Sequence, residues 1–275
     1  MADSIRLEMR GSAAVVTMTR EKVRNALRAE DARALSETID EAAANPDCLG
    51  IVLTGGASFS SGGHLGAILA MVEGRSAEEV STAVYRDFQA MARSLRDCAV
   101  PTIAAVDGPA IGLGLDLALW CDMRYLGPTA RLGQGWAALG LIPGTGGAAL
   151  LQQLRPGAIW SLMGERPMTA NDAAVLGLGT AVENTMAAAL ERIEGWTAIG
   201  RAALEGYARL TRGTLPDDEA LRQCALVQGQ LLTSERFRAT AEKLLGGVGQ
   251  KPSAPFAAPD PRRTVLAPLS GGTAH

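Results

Sequence analysis

"VPTIAAVDGPAIGLGLDLALWCDMRY" occupies residues 100–125. Its opening apolar run is too short for a helix and stops at a glycine turn, so it reads as a buried strand. Gly108, Gly112 and Gly114 then punctuate the chain, and "LGLDLALW" reads as a short apolar helix that starts near Leu113 and Gly114. "MRYLG" returns to strand. Strand, glycine turn, helix, strand in that order is the pattern of an α/β protein.

The same grammar extends outward. "SIRLEMRGSAAVVTMTR" reads as two strands joined at a glycine. "AEDARALSETIDEAAAN" carries Ala, Leu and Ile at helical spacing and stops before Pro46. "LGIVLTGG" is a short buried strand, and "FSSGGHLGAILAMVEG" a glycine turn that opens a helix. "SAEEVSTAVYRDFQAMARSLRDC" reads as one long amphipathic helix, with Ser76 and Glu79 as its capping box. The alternation continues to residue 185, which sets an α/β core at 1–185. Residues 186–250 read as a helical region, with breaks near 213–216 and 233–234. The Pro- and Ala-rich stretch 251–275 lacks periodicity and is expected to be an extended or disordered tail.

Composition narrows the partners. A net charge of −3 leaves no basic face for nucleic acid. The apolar run 103–120 contains Asp107 and Asp116, so it is not a membrane span. The first residues are charged and lack the apolar segment of a secretory signal. Four cysteines lie far apart with no CxxC pair, which reads as free buried thiols in a reducing cytoplasm. With only two histidines, His64 and His275, a multi-histidine metal site is excluded.

Three glycine-rich turns, at 55–64, 107–114 and 140–147, each read as the entrance to a helix. Such turns leave backbone N–H groups unpaired where the helix dipole favours negative charge. Asp116 follows Leu113 by one helical turn, so one helix can aim the Leu113 N–H at an oxygen and a carboxylate at an atom nearby. An acid inside "LGLDLALW" is costly to bury, and burial raises its pKa toward proton transfer. Two readings stay open here: a catalytic acid/base, or a carboxylate satisfied by neighbouring backbone. The later loop, "RLGQGWAALGLIPGTGG" at 131–147, holds no carboxylate, histidine, lysine or serine beyond Gly133. Any chemistry there must come from elsewhere in the chain.

Five blocks together resemble the enoyl-CoA hydratase/isomerase (crotonase) superfamily in its own order. They are "REKVRNALRAED", "GASFSSGGHL", "VPTIAAVDGPAIGLGLDLALWCDMRY", "LGQGWAALGLIPGTGGAALL" and "MGERPMTANDAAVLGLGTAV". The resemblance implies a crotonase-like superhelix of repeated strand–strand–helix (ββα) units with a C-terminal helical trimerisation region. It implies self-association as a homotrimer or hexamer. It also implies an acyl-CoA thioester as substrate, with no cofactor beyond the coenzyme A that the substrate carries. The thioester oxygen would sit in an oxyanion hole made by the N–H groups of Gly63 and Leu113. Each such donor contributes roughly 2.7–4 kcal/mol to an enolate-like transition state.

Hydratases of the superfamily hold a water between two glutamates. Here the first position is Asp116, and the second, twenty residues on, is Trp136. An indole carries one N–H donor and an apolar face and exchanges no proton at neutral pH. The two-carboxylate clamp is therefore broken, and Trp136 is expected to shape a dry acyl pocket with Gly112, Pro143 and Gly144. Dehalogenases of the superfamily pair a tryptophan in this loop with an aspartate eight residues later, but that position is Gly144 here. His64 stands where the superfamily has an aspartate and is expected to cap the first turn rather than act as a base. By the same resemblance Arg24, Ala26, Ser61, Lys251 and Phe256 are expected to meet the coenzyme A portion.

Three readings compete with this one. Ser60 or Ser61 as a nucleophile lacks a GxSxG turn and a placed acid. "GTGGAA" at 144–149 matches a dinucleotide-binding turn with Glu165 as its acid, which would make an oxidoreductase, yet no strand is read before Glu165. A non-catalytic acyl-CoA binder, with Trp136 filling the site, is the third. The residues favour an acyl-CoA lyase or isomerase with Gly63, Leu113 and Asp116 as its catalytic groups.

Overall fold

The computed structural model describes residues 4–163 and 166–246. The expected tail at 251–275 lies outside the described residues. In chain order the elements are β1 (Ile5–Arg10), β2 (Ala13–Met18), α1 (Ala29–Ala44), β3 (Gly50–Thr54), α2 (Leu65–Val72) and α3 (Ala77–Ala83). A π-helical segment (Val84–Phe88) leads into α4 (Gln89–Asp97), followed by β4 (Thr102–Val106), β5 (Pro109–Ile111), α5 (Leu113–Trp120), β6 (Met123–Leu126) and β7 (Arg131–Gly133). Then come α6 (Gly147–Leu154), α7 (Ala158–Leu162), β8 (Met168–Thr169), α8 (Ala170–Val175) and β9 (Thr180–Ala181). Helices α9 (Thr185–Glu194), α10 (Arg201–Arg212), α11 (Asp218–Leu232) and α12 (Glu235–Gly246) complete the described chain.

Six strands form one sheet in the order β1-β2-β3-β4-β6-β9, in which only β1 and β2 are antiparallel. A second sheet, β5-β7-β8, stands apart from it. The turns after β4 and β6 pass from the large sheet to the small one before a helix, and the turn after β3 touches the small sheet through one bridge. After β3, Ser60 bridges Ala110 of β5 and the chain enters α2. After β4 it forms β5 and enters α5, and after β6 it forms β7 and reaches α6. These are the repeated strand–strand–helix units expected above.

Both faces of the large sheet are apolar, and the two-residue period of the strands divides them. Ala14, Val16, Ile51, Leu53, Ala104 and Val106 face the main core beneath α1, α4 and α5. Ala13, Val15, Val52, Ile103, Ala105 and Tyr125 face the opposite side, where Ala189 and Ile193 of α9 cover them. The helical region is also pinned by buried arginine. Arg212 of α10 donates to the Val100 carbonyl at 2.9 Å and to the Asp122 carboxylate. Such a cation is satisfied by its hydrogen bonds rather than by water.

Two expectations are corrected. The span expected as one regular helix over 76–98 contains the π-helical turn at Val84–Phe88. The helical region has a further interruption, since α9 ends at Glu194 and α10 begins only at Arg201.

Candidate active site

Asp116 lies on the first turn of α5 and is fully enclosed. Its Oδ2 accepts from Thr145 Oγ1 at 2.6 Å and from Trp136 Nε1 at 3.3 Å. Its Oδ1 accepts from Gln134 Nε2 at 3.4 Å. Oδ1 also faces the start of α6, so closely that a Cβ built on Gly147 would lie 1.9 Å from it. Only a glycine lets that helix begin there. Burial pushes the Asp116 carboxyl up to about 7, and the Thr145, Gln134 and Trp136 donors offset part of that rise. Cys224 of α11 lies near enough that the carboxylate adds to the upward push that burial gives its thiol.

The tryptophan expected in the acyl pocket therefore does more than fill space. Trp136 is buried, and its ring lies over Gly112, whose built Cβ would be 3.6 Å from indole Cε2. Gly112 caps α5 with φ 54 and ψ −116, a conformation open to glycine. The indole N–H thus reaches the carboxylate on the first turn of that helix, across the twenty residues that separate the two.

The turn that precedes Gly63 and the helix start that carries Leu113 lie side by side. The turn at Gly62 rests against the start of α5, where a built Gly62 Cβ would lie 3.5 Å from Leu113 N. Among the described residues neither Gly63 N–H nor Leu113 N–H has a hydrogen-bond partner. The surrounding groups are paired: Leu27 N donates to Gly62 O at 2.7 Å and His64 N to Leu27 O at 2.8 Å. Ser60 Oγ donates to Asn25 O at 2.8 Å and accepts from Gly62 N at 3.1 Å. Asn25, buried at φ 51, donates its side-chain amide to Gly55 O at 3.0 Å and Ser58 O at 2.6 Å. One buried amide in a left-handed conformation thereby fixes the whole turn that presents Gly63.

Next to these groups is an apolar cavity of ≈ 20 Å³, room for about one water. Ile68, Val84, Phe88, Leu113, Trp136 and Thr145 are among its walls. The π-helical turn shapes it, because Val84 and Phe88 both come from that turn. Helix α11 closes it with Gln228 and Leu232. Gln228 Oε1 accepts from Ile142 N at 3.2 Å, and Gln89 Nε2 ties Gly144 O at 2.6 Å to Leu221 O at 2.7 Å. The loop at 141–147 is thus held from both sides.

The remaining expected residues fall into three groups. Pro143 and Gly144 are buried in that held loop. His64 caps α2, its Nδ1 accepting from Ala67 N at 3.2 Å. Arg24, Ala26 and Ser61 converge at the exposed edge of the first turn: Ser61 N donates to Arg24 O at 2.8 Å, and Ala26 O accepts from Arg20 at 2.7 Å. Lys251 and Phe256 lie outside the described residues. Thr145, Gln134 and Gln89 are not among the residues that the sequence points to, although Gln134 and Thr145 lie in the glycine-rich loop at 131–147. The dinucleotide reading finds no strand before its glycines, because a 3-10 turn (Ala137–Leu139) precedes α6. Its Glu165 lies outside the described residues. No group of three potential metal ligands and no helix long and apolar enough to cross a membrane occurs among the described residues.

Comparison with known proteins places the chain in a family and a fold. The chain is 33% identical over 224 residues to the enoyl-CoA hydratase EchA19 of Mycobacterium tuberculosis, covering 78% of this chain and 84% of that protein. It is 33% identical over 156 residues to the short-chain-enoyl-CoA hydratase of Clostridium acetobutylicum, a match spanning 57% of that protein's length. Its fold matches the crystal structure of an enoyl-CoA hydratase/isomerase from Mycobacterium paratuberculosis with a TM-score of 0.79 at 23% identity, over 88% of this chain and 99% of that one. The family model for enoyl-CoA hydratase/isomerase matches residues 8–223, and the chain belongs to that family.

Proposed function

We propose that this protein processes an acyl-CoA thioester by stabilising its enolate, with Gly63 and Leu113 N–H holding the thioester oxygen and Asp116 exchanging the proton. The observation that carries this reading is the Trp136 N–H on Asp116 Oδ2 at 3.3 Å. An indole at that place leaves one carboxylate in the site, raised by burial to about 7, able both to take and to return a proton near neutral pH. A second carboxylate to hold an attacking water is replaced by an apolar wall. Double-bond isomerisation or other enolate chemistry follows more naturally from this site than hydration.

The test is mass spectrometry of enoyl-, dienoyl- and malonyl-type CoA thioesters incubated with the protein in deuterated water. Deuterium gained at the carbon next to the thioester, without addition of water, supports the reading. Efficient hydration, or an Asp116→Ala variant that exchanges at the full rate, overturns it. The complete enclosure of Asp116 by three donors also favours a second reading, a non-catalytic acyl-CoA binder. That reading requires thermal stabilisation by acyl-CoA with no exchange on any thioester. We further propose assembly as a trimer or hexamer, supported by the exposed apolar side chains Trp160, Tyr207 and Leu210 and tested by light scattering of the purified protein.

A further inference from the structure

Asp116 and the cavity do not meet. The carboxylate is fully enclosed and is not among the cavity's walls, so a thioester lying against Leu113 would not touch it. Two side chains both line the cavity and contact Oδ2: Trp136 and Thr145. The indole has an N–H and no lone pair to accept a proton, so it can hold the carboxylate but cannot pass a proton through. A hydroxyl both donates and accepts. Thr145 donates to Oδ2 at 2.6 Å, the shortest of the three contacts that Asp116 receives. Its position is set by the backbone, since Thr145 O accepts from Trp120 Nε1 at 2.7 Å. Gly146 and Gly147 next to it begin α6 directly against the carboxylate. The threonine therefore stands between cavity and acid on a short, fixed piece of chain.

We propose that the Thr145 hydroxyl is a catalytic residue that relays the proton between Asp116 and an acyl group that enters by widening this one-water cavity. The inference rests on the acyl-CoA reading above. In the forward step the proton on the carbon next to the thioester passes to Thr145 Oγ1 while the Thr145 hydroxyl proton passes to Asp116 Oδ2. The electron pair of the broken C–H bond forms the enolate double bond. The carbonyl pair moves onto the oxygen facing the Gly63 and Leu113 N–H groups. Run backward at a different carbon, the same relay completes a double-bond shift. Because both protons move together, no threonine alkoxide accumulates, and Thr145 ends the cycle as it began. A buried carboxyl near neutral pH suits this exchange, since neither direction is then steeply uphill.

The experiment follows deuterium exchange into butanoyl-CoA and crotonyl-CoA for the unaltered protein and for Thr145→Val, Thr145→Ser and Asp116→Asn, with thioester binding read in parallel by thermal shift. Thr145→Val keeps the shape and loses the hydroxyl. It is expected to lower exchange by about 100-fold or more while binding is retained, and Thr145→Ser is expected to restore most of the rate. In mixtures of light and heavy water the rate of the unaltered protein is expected to fall in a straight line with deuterium content, because of the two moving protons only the Thr145 hydroxyl proton comes from the solvent. A rate that does not respond to the deuterium content of the water, or Thr145→Val exchanging like the unaltered protein while Asp116→Asn is silent, overturns the relay and leaves the single-carboxylate site standing. Absence of exchange in the unaltered protein, or full exchange in Asp116→Asn, overturns both.

Discussion

Replacing Asp116 by asparagine should make the protein more stable, and more so as pH rises. The carboxyl has an ordinary value of 3.8 and is pushed by burial to about 7 in the fold. Between those values the folded chain keeps a proton that the unfolded chain has released, so stability falls as pH rises through this window. The destabilisation is absent below the unfolded value and complete above the folded one. At about 1.4 kcal/mol per pH unit, a window of about three units corresponds to ~4 kcal/mol. The substituted side chain would keep an oxygen for Thr145 and Trp136 and carry no charge, so this dependence vanishes. Other groups titrate identically in both proteins and cancel in the difference; Cys224, the titratable neighbour on α11, is pushed upward and stays neutral in this range. Urea unfolding at pH 5 and pH 8 measures the effect. The variant's advantage should grow by about 3 kcal/mol between the two, with unchanged dependence on denaturant. An advantage of the same size at both pH values would refute the reasoning, because it would mean that Asp116 is ionised at pH 5 and ordinary.

Trp136→Glu restores a second carboxylate beside Asp116 and should bring measurable hydration of crotonyl-CoA, followed by loss of the enoyl thioester absorbance. Asn25→Ala strands the Gly55 and Ser58 carbonyls and places alanine at φ 51, so it should cost about 3 kcal/mol in urea unfolding and lower exchange by loosening the Gly63 turn. Gly147→Ala puts a methyl where Asp116 Oδ1 now lies, and should cost about 2 kcal/mol and abolish deuterium exchange.

The inner strands β2, β3, β4 and β6 of the large sheet and the helices at 29–44, 65–72 and 113–120 are legible in the sequence because each carries apolar residues in close succession, whereas β9, two exposed residues, is not. The second sheet is not. Its strands, Pro109–Ile111, Arg131–Gly133 and Met168–Thr169, are too short to show alternation, and they exist because neighbouring turns stack. The π-helical turn hides for a related reason: one added residue at 84–88 shifts the register without breaking the apolar pattern. At the site, the pairing of Leu113 with Asp116 is local to one helical turn and can be read. Thr145 and Gln134 lie 29 and 18 residues from Asp116, and no spacing rule connects them to it. Trp136 can be read as a departure from two glutamates, but its hydrogen bond to the remaining acid needs coordinates.

The lid that α11 forms has a consequence for the order in which this protein is made. Gln228 and Leu232 close a space whose other walls, Ile68 to Thr145, leave the ribosome much earlier. Until the last helices arrive, Ile68, Val84 and Phe88 have no cover on that side, and the loop at 141–147 lacks the Gln228 tie that steadies it. A nascent chain that has already built its large sheet therefore still exposes an oily cleft, the kind of surface that chaperones bind and aggregates recruit. Ribosome-bound chains ending before residue 218 should be captured by such helpers, and release should coincide with the emergence of α11 rather than with completion of the sheet.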